Sequence, residues 1–429
     1  MQLTGEFVSA AAKPARIGGS HAWFVWVLAV TFVVYYFSFQ TGYAIVNPSV
    51  QKDIGFSISQ VATVAAAYTW TFAICQLISG ALLDRVGAGK VIPASIALVT
   101  VGIFLFASAQ SYQTLLLSQM IIAVGACSGF VGAGYIGGQW FGMAKFSFMF
   151  GLVQFAASFF SAFNQNLLGF ALTRLEWREL FNFIGFFGIA LFVLAALFVR
   201  NPTPVAAHPN EGAGAFFTAL GRSIVEVAKI PHVWMASAFG ALCFGTMLSL
   251  GVVWGPKLLA VRGFDMSVAN WAASLLWLGL AAGCFVVPKW SDIAKNRKLP
   301  MIVCTVLQLT ALALLVYMPT MNVPLAMALC FIFGAGNAAH MLAFSTAADV
   351  VRPDRIGTSA AIVNGVMFMA GGILIARPGV RIGWGIGEGI EAGSLAIAQY
   401  AAVPLVGALA VALVLAFVMR ETYPRQMTP

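Results

Sequence analysis

Long apolar segments separated by short polar loops run through most of the chain. The segments at residues 22–46 and 180–199 contain almost no charge, and each is at least as long as the roughly 20 residues that a membrane-spanning helix needs. The strict alternation of apolar and polar residues typical of membrane-spanning strands is absent, so the pattern predicts helices. Twelve spans are predicted, at residues 22–46, 60–83, 91–109, 114–137, 146–172, 179–199, 233–259, 268–288, 300–319, 324–346, 357–376 and 395–419.

The longest polar stretch between spans follows the sixth span. It contains NPTPVAAHPNEGAGA, whose Pro, Gly and Asn residues are typical of a linker. The predicted fold is therefore an all-α integral membrane protein with twelve transmembrane helices in two six-helix halves. Its predicted units are an N-terminal tail (1–21), a first bundle (22–200), a linker (201–232), a second bundle (233–420) and a C-terminal tail (421–429).

Composition supports a lipid environment for most of the chain. Hydrophobic residues make up 61% of the 429 residues and charged residues 9%, whereas a soluble chain carries about 25% charged residues. The formal net charge is +9, but most basic residues fall in loops that face the cytoplasm if both termini do. The charge therefore predicts an orientation in a bacterial inner membrane and gives no reason to expect a nucleic-acid partner. The first twenty residues are too polar for a cleavable signal peptide.

Neither the cysteines nor the acidic residues predict an enzyme, a metal site or a cofactor. The six cysteines fall inside or at the edges of spans without a C-x-x-C pair, so no metal cluster or disulfide framework is expected. The fourteen acidic residues fall in loops, tails or span edges, so no carboxylate is available in mid-membrane as a proton relay.

The stretch GALLDRVGAGK, at residues 80–90, combines glycine and charge in one loop. Its end resembles a phosphate-binding loop, which needs Gly, four further residues and then Gly-Lys-Ser/Thr. In that register the first glycine position is Asp84, and Val91 follows Lys90. A carboxylate where phosphate would approach, and no hydroxyl for magnesium, exclude a nucleotide site.

The same loop resembles the signature loop of the major facilitator superfamily, which joins the second and third helices. The matching residues are Gly80, Asp84, Arg85, Gly87 and Lys90, while Gly89 replaces a basic residue. A weaker copy, PKWSDIAKNRK at residues 288–298, keeps Asp292 and Lys298. Two copies, one in each half, fit the internal repeat of such transporters.

This resemblance implies a gate on the cytoplasmic side. Asp84 is expected opposite the positive N-terminal end of the eleventh span, which opens near RIGTSAAI at residues 355–362. In the family, this contact holds the inner side shut. The alternative is that Asp84 is a solvated turn residue.

Uncharged polar residues form two stripes that predict a substrate cavity, because lipid rejects amide groups. The first span carries Tyr36, Gln40 and Tyr43 at i, i+4 and i+7. The fifth span carries a stripe at i, i+4, i+7 and i+11, formed by Gln154, Ser158, Ser161 and Gln165. Hydrogen bonding between helices is the alternative for both stripes.

His340 is the only ionisable side chain predicted well inside a span, one helical turn after Asn337. An imidazole there could titrate, bind a metal or hydrogen-bond a substrate. The alternative is a neutral histidine bonded to a neighbouring helix. Asn364 in the eleventh span is a candidate of the same kind.

These features predict a secondary transporter that moves a small molecule or ion by alternating access of the two bundles. Residues 139–154 and 348–365 are similar to an organic-anion or siderophore-type branch of proteobacterial carriers. The chain also resembles magnetosome-associated members of the superfamily, which would imply a magnetosome membrane and iron supply for biomineralisation. A receptor or scaffold that no longer transports is the third hypothesis. The cargo, its direction, the coupling ion, the oligomeric state and any protein partners stay open.

Overall fold

The computed structural model describes residues 18–55, 58–202 and 213–423, and its regular structure there is entirely helical. Eleven helices in this part of the chain are long and apolar enough to cross a membrane. A twelfth long helix of 29 residues, Ile58–Val86, packs within the same bundle. The predicted all-α membrane fold is therefore confirmed.

The first half contains six membrane-crossing elements, of which the fourth is broken. Its two pieces meet at Cys127 and Ser128, and the Ser128 hydroxyl is hydrogen-bonded to that of Ser95. The helices are α1 (Ser20–Ile54), α2 (Ile58–Val86), α3 (Ala88–Ala107), α4 (Tyr112–Ala126), α5 (Gly129–Phe141), α6 (Phe146–Ala171) and α7 (Trp177–Phe198).

The second half has two interrupted crossings. A π-helical segment, Ser249–Trp254, lies within the first of them, and a 3₁₀ turn, Ala338–His340, lies within the fourth. The helices are α8 (Ala213–Ala228), α9 (Pro231–Leu248), α10 (Gly255–Val261), α11 (Met266–Ala294), α12 (Lys298–Tyr317), α13 (Val323–Asn337), α14 (Met341–Ala348), α15 (Ile356–Gly387) and α16 (Leu395–Val418).

Side-chain caps fix where several helices begin. The Ser111, Asn322 and Ser394 side chains each accept a hydrogen bond from a backbone N–H in the first turn of the helix that follows. Glu176 and Glu179 form a reciprocal capping box at the start of α7. These bonds satisfy amide groups that have no partner within the helix itself.

Two helices extend beyond the predicted spans. The first span is predicted to end at residue 46, and α1 continues to Ile54, where Gly55 adopts a left-handed conformation with φ 77°. The eleventh span is predicted to end at residue 376, and α15 continues to Gly387. The spans are read from hydropathy, whereas a helix can continue past its most apolar segment.

The linker contains a helix that the sequence did not predict. Helix α8 occupies Ala213–Ala228 and contacts α2, α15 and α9. Residues 203–212 of the predicted linker, 1–17 of the N-terminal tail and 424–429 of the C-terminal tail lie outside the described residues. The exact boundaries of the five predicted units therefore stay predictions.

The two halves pack against each other mainly through α2 with α15 and α6 with α11. Glycine permits this approach, because a Cβ atom on Gly80 would overlap the carbonyl oxygen of Gly357 and one on Gly151 would overlap that of Cys284. We call the side at which α1 begins, near Ser20, the N-terminal side. The side at which α1 ends, near Ile54, is the opposite side.

Candidate functional site

Two adjoining spaces lie between the halves. The larger, here called the large cavity, has a volume of about 640 Å³. It lies nearer the opposite side, because its walls come from the second part of α1, the first part of α2 and the second part of α15. The smaller, the central pocket, lies deeper in the bundle. Phe37 and Phe368 line both spaces and separate them.

The central pocket brings together four of the polar residues singled out in the sequence. Tyr36 comes from α1, Gln154 from α6, His340 from the 3₁₀ turn after α13, and Asn364 from α15. All four are at most 4% exposed. They are far apart in the chain and belong to both halves, so the fold creates a polar site that sequence spacing alone could not.

His340 is held in one orientation by two contacts. Its Nδ1 atom lies 2.7 Å from the carbonyl oxygen of Asn337, and its ring stacks on Phe244 with centroids 4.7 Å apart. A carbonyl can only accept a hydrogen bond, so Nδ1 carries the proton in that bond. In the neutral ring, Nε2 is then a free acceptor.

The large cavity is lined by further candidates from the first and fifth spans, Gln40, Tyr43 and Ser161. Tyr68 and Gln119 also line it and were not predicted. Four of its residues carry a buried polar atom without a hydrogen-bond partner among the described residues. These atoms are Gln40 Oε1, Tyr43 Oη, Tyr68 Oη and Gln119 Nε2.

Asn337 and Ser158 contribute to packing rather than to the walls of either space. The Asn337 amide donates to the carbonyl oxygen of Cys243 at 2.7 Å. Ser158 accepts a hydrogen bond from Gln154 at 2.9 Å. The side chain of Gln165 lies outside the described residues. The fifth-span stripe is thus partly a cavity wall and partly a set of hydrogen bonds within its own helix.

Asp84 lies against the start of α15, the eleventh span, which is the partner expected from the sequence. Its carboxylate accepts hydrogen bonds from the backbone N–H groups of Gly357 at 2.9 Å and Thr358 at 2.8 Å, and from the Thr358 hydroxyl at 2.8 Å. These donors form the first turn of α15, where the helix dipole favours negative charge. Asp84 is therefore part of a contact between the halves and not a solvated turn residue.

The other residues of the signature loop have separate local roles. Gly87 has φ 85°, a left-handed conformation that suits glycine at the turn between α2 and α3. Arg85 lies over the ring of Phe216 in α8, 5.4 Å from its centroid. Lys90 is exposed at the start of α3.

The second copy of the loop also lies between the halves. Asp292 pairs with Arg297 at 2.6 Å. Asp292 of α11 lies near the start of α6, because it lines one cleft with Phe148 and Met149. Arg297 additionally pairs with Asp349 at 3.2 Å.

Two further polar contacts between the halves were missed in the sequence. Asn364 donates to Gln76 Oε1 at 3.0 Å, and the hydroxyl groups of Ser147 and Ser345 are hydrogen-bonded to each other. Asn364 was a candidate, but Gln76, Ser147 and Ser345 belong to neither of the polar stripes in the sequence. The helix pairing that brings the partners together is visible only in three dimensions.

No charged side chain lines either space among the described residues. In the same part of the chain, no group of three or more His, Cys, Asp or Glu residues is placed to hold a metal ion. All six cysteines are free thiols. Recognition in these spaces therefore depends on hydroxyl, amide, aromatic and imidazole groups.

Comparison with known proteins identifies related transporters. A family model described as Major Facilitator Superfamily matches residues 27–376. The probable galactarate/D-glucarate transporter GudP of Bacillus subtilis is 23% identical over 386 residues, covering 83% of this chain and 84% of that protein. The probable sulfoacetate transporter SauU of Cupriavidus necator is 22% identical over 252 residues, covering 56% of this chain and 58% of that protein.

A solved structure shares the fold. The human organic anion transporter MFSD10 (TETRAN) matches with a TM-score of 0.71 and 14% sequence identity, over 93% of this chain and 100% of that chain. At this identity, the likeness concerns the arrangement of helices alone.

Proposed function

Because the chain belongs to the Major Facilitator Superfamily, we propose that it is a secondary transporter that moves a small organic anion by alternating access. It is a multi-pass membrane protein. We place it in a bacterial inner membrane with both termini and the Asp84 contact on the cytoplasmic side, following the distribution of its basic residues. The structure then corresponds to a state closed toward the cytoplasm.

The observation that carries this proposal is the set of unpartnered polar atoms around the large cavity. Three of the four groups, the hydroxyls of Tyr43 and Tyr68 and the amide nitrogen of Gln119, can donate hydrogen bonds. Carboxylate and sulfonate oxygens only accept. A cavity with such donors suits an organic acid, the class after which two of its relatives are named.

An iron or iron-chelate cargo, and with it a magnetosome membrane, receives no support from the site or from these relatives. The thiols are dispersed, and no metal-ligating group of three or more residues lies within the described part of the chain. Iron therefore enters only as one arm of the transport test.

The test is uptake by the purified full-length protein in liposomes. The panel contains D-glucarate, galactarate, sulfoacetate, ferrous iron and a neutral sugar, with protein-free liposomes as the blank. Uptake of at least one organic acid, competed by the others, supports the proposal. Uptake of ferrous iron alone would show that the substrate is iron and not an organic acid. No uptake of any compound would favour the receptor or scaffold hypothesis.

A matched pair of variants links transport to the cavity. Gln119→Leu removes an unpartnered donor from the cavity wall. Gln399→Leu removes an amide of α16 that binds the Val316 carbonyl oxygen, away from both spaces. We expect the first change to raise the KM for the organic acid and the second to leave it unchanged.

A further inference from the structure

We infer that His340 is the proton-binding group that couples transport to a proton gradient, with Nε2 as the atom that gains and loses the proton. The inference rests on the proposed function, because it assigns the coupling ion and its site to an organic-anion transporter. It starts from the geometry of the central pocket, where His340 adjoins the large cavity across Phe37 and Phe368.

The hydrogen bond at Nδ1 leaves Nε2 as the atom that can titrate. Since Asn337 offers a carbonyl oxygen 2.7 Å away, Nδ1 keeps its proton whether the ring is neutral or charged. Stacking on Phe244 holds the ring plane. A proton that arrives from the cavity therefore binds Nε2 without any rotation of the side chain.

A protonated His340 would offset part of the charge of the proposed substrate. An anion that leaves water for an apolar cavity is stabilised by a compensating positive charge as well as by donated hydrogen bonds. Among the described residues, neither space has a Lys, Arg, Asp or Glu in its walls. His340 is the residue of these walls whose side chain becomes a cation when it binds a proton.

No neighbouring charge competes with His340 for this role. The titratable groups within the elements packed around it are the Tyr36 phenol on α1 and the thiols of Cys243, Cys284, Cys304 and Cys330 on α9, α11, α12 and α13. The other titratable groups of α9, α11 and α12 lie at the ends of these helices: His232, Lys289, Asp292, Lys298 and Tyr317. The phenol of Tyr36 and the four thiols are neutral at pH 7 at their ordinary pKa values. The α6 and α15 residues that line the pocket, including Gln154 and Asn364, do not titrate.

The proposed cycle moves one proton with one substrate anion. From the opposite side, a hydrated proton binds the Nε2 lone pair and forms an N–H bond, and the imidazolium offsets one of the two negative charges of the substrate in the adjoining large cavity. This partial neutralisation then permits closure of the large cavity and opening of the N-terminal side. There the substrate leaves, the Nε2–H bond breaks to water, and the neutral imidazole returns.

The decisive variant is His340→Asn. The asparagine amide can keep a donor to the Asn337 carbonyl oxygen but has no atom that binds a proton at neutral pH. In liposomes loaded with unlabelled D-glucarate, the variant should still exchange labelled D-glucarate. It should lose accumulation driven by a pH gradient with the membrane potential clamped at zero, a condition under which one proton per substrate gives native protein up to about tenfold accumulation per pH unit.

The matched control is His21→Asn, which changes an exposed histidine at the start of α1 whose ring contacts Trp140. It should exchange and accumulate D-glucarate as the native protein does. Accumulation by His340→Asn at the native level would overturn the inference, while exchange by the native protein would still support the proposed function. If the native protein exchanges none of D-glucarate, galactarate and sulfoacetate, the proposed function itself fails.

A measurement on the native protein covers the case in which His340→Asn does not fold. In protein with ¹⁵N-labelled histidine, the His340 signal is assigned as the one that persists in variants of the three other histidines. Its Nε2 resonance should change from the unprotonated to the protonated range when D-glucarate binds. The three other histidines should not respond. An Nε2 that stays unprotonated with D-glucarate bound would overturn the inference.

Discussion

At the scale of single residues, Asp84 makes three hydrogen bonds between the halves on the N-terminal side. One carboxylate accepts from two backbone N–H groups and one hydroxyl, all at 2.8–2.9 Å. Hydrogen bonds to charged groups contribute about 1.5–3 kcal/mol each. In the proposed transport cycle, opening of this side would break all three together, so we expect Asp84 to have a large effect on the balance between states.

We predict that Asp84→Asn shifts the protein toward the state open on the N-terminal side. The amide keeps one acceptor oxygen but loses the charge, so we expect a population shift of about tenfold or more, given a loss of at least about 1.5 kcal/mol. Hydrogen exchange measured by mass spectrometry should become faster at residues 353–362. Unchanged hydrogen exchange at these residues would show that Asp84 does not hold the N-terminal side closed.

The control for this variant is Asp53→Asn. Asp53 also forms a pair between distant elements, with Arg178 at 2.9 Å, but it is 47% exposed and lies on the opposite side. Exposed ion pairs contribute about 0–1 kcal/mol. Exchange at residues 353–362 should therefore not respond to this change.

A substitution at Gly80 tests the same contact between α2 and α15 by adding side-chain volume instead of removing charge. A Cβ on Gly80 would overlap both the Gly357 carbonyl oxygen and the Ala361 side chain. Gly80→Ala should separate α2 from α15 and give the same faster exchange at residues 353–362. Gly169→Ala in α6, where a Cβ would meet no atom within 4 Å, should leave exchange unchanged.

The sequence predicted single residues well where a chemical pattern limits the alternatives. Asp84 was identifiable because its loop pattern implies a partner helix, and His340 because an ionisable group inside a span is rare. Gln76 and Gln119 were not identified. A single amide within an apolar segment does not repeat at helical spacing, so the sequence does not show which face of the helix it occupies. Their partners become apparent only when the helices are paired.

At the scale of elements, hydropathy predicted the twelve crossings but not the shapes within them. The break between α4 and α5 and the π-helical segment Ser249–Trp254 lie inside continuous apolar runs, so hydropathy does not detect them. In the second case, Ser249 donates to the Leu374 carbonyl oxygen at 3.0 Å, a contact across helices that is absent from local sequence. Pro256 follows, and its missing N–H suits the first turn of α10.

Helix α8 contacts both sides of the N-terminal gate. Its Phe216 lies under Arg85, which follows Asp84 in the first half, and its Glu226 pairs with Arg355, just before α15, at 3.1 Å. Glu226 is 46% exposed and Arg355 23%, so this pair is weaker than the buried contacts of Asp84. Helix α8 thus supports the gate without being the main restraint.

We therefore predict that Glu226→Gln changes transport only slightly. Loss of a partly exposed pair contributing about 0–1 kcal/mol corresponds to less than about a fivefold change in the balance of states. The initial rate of organic-acid uptake should stay within this range of the native rate, whereas Asp84→Asn should exceed it. If Glu226→Gln and Asp84→Asn changed the uptake rate equally, the contacts of α8 would be the main restraint on opening of the N-terminal side.

At the scale of the whole molecule, the contacts between the halves on the N-terminal side have approximate two-fold symmetry. Asp84 of α2 binds the start of α15, and Asp292 of α11 lies near the start of α6. The sequence predicted this repeat from the two copies of the loop. The second copy differs because Arg297 neutralises Asp292 directly, so the two contacts need not be equally strong.

Alternating access requires these two interfaces to separate, and a covalent link across one of them should prevent transport. Ser147 on α6 and Ser345 on α14 are joined by a hydroxyl–hydroxyl hydrogen bond between the halves. Their Cβ atoms are therefore close enough that cysteines at both positions should form a disulfide with little backbone movement. After oxidation, the Ser147→Cys/Ser345→Cys protein should show uptake no higher than protein-free liposomes, while still binding the organic acid from the opposite side.

A reductant should restore uptake by the oxidised double variant. Neither single variant should respond to oxidant, which controls for the native thiols. Full uptake by the fully oxidised double variant would exclude separation of the halves at this interface, and with it a rocking mechanism.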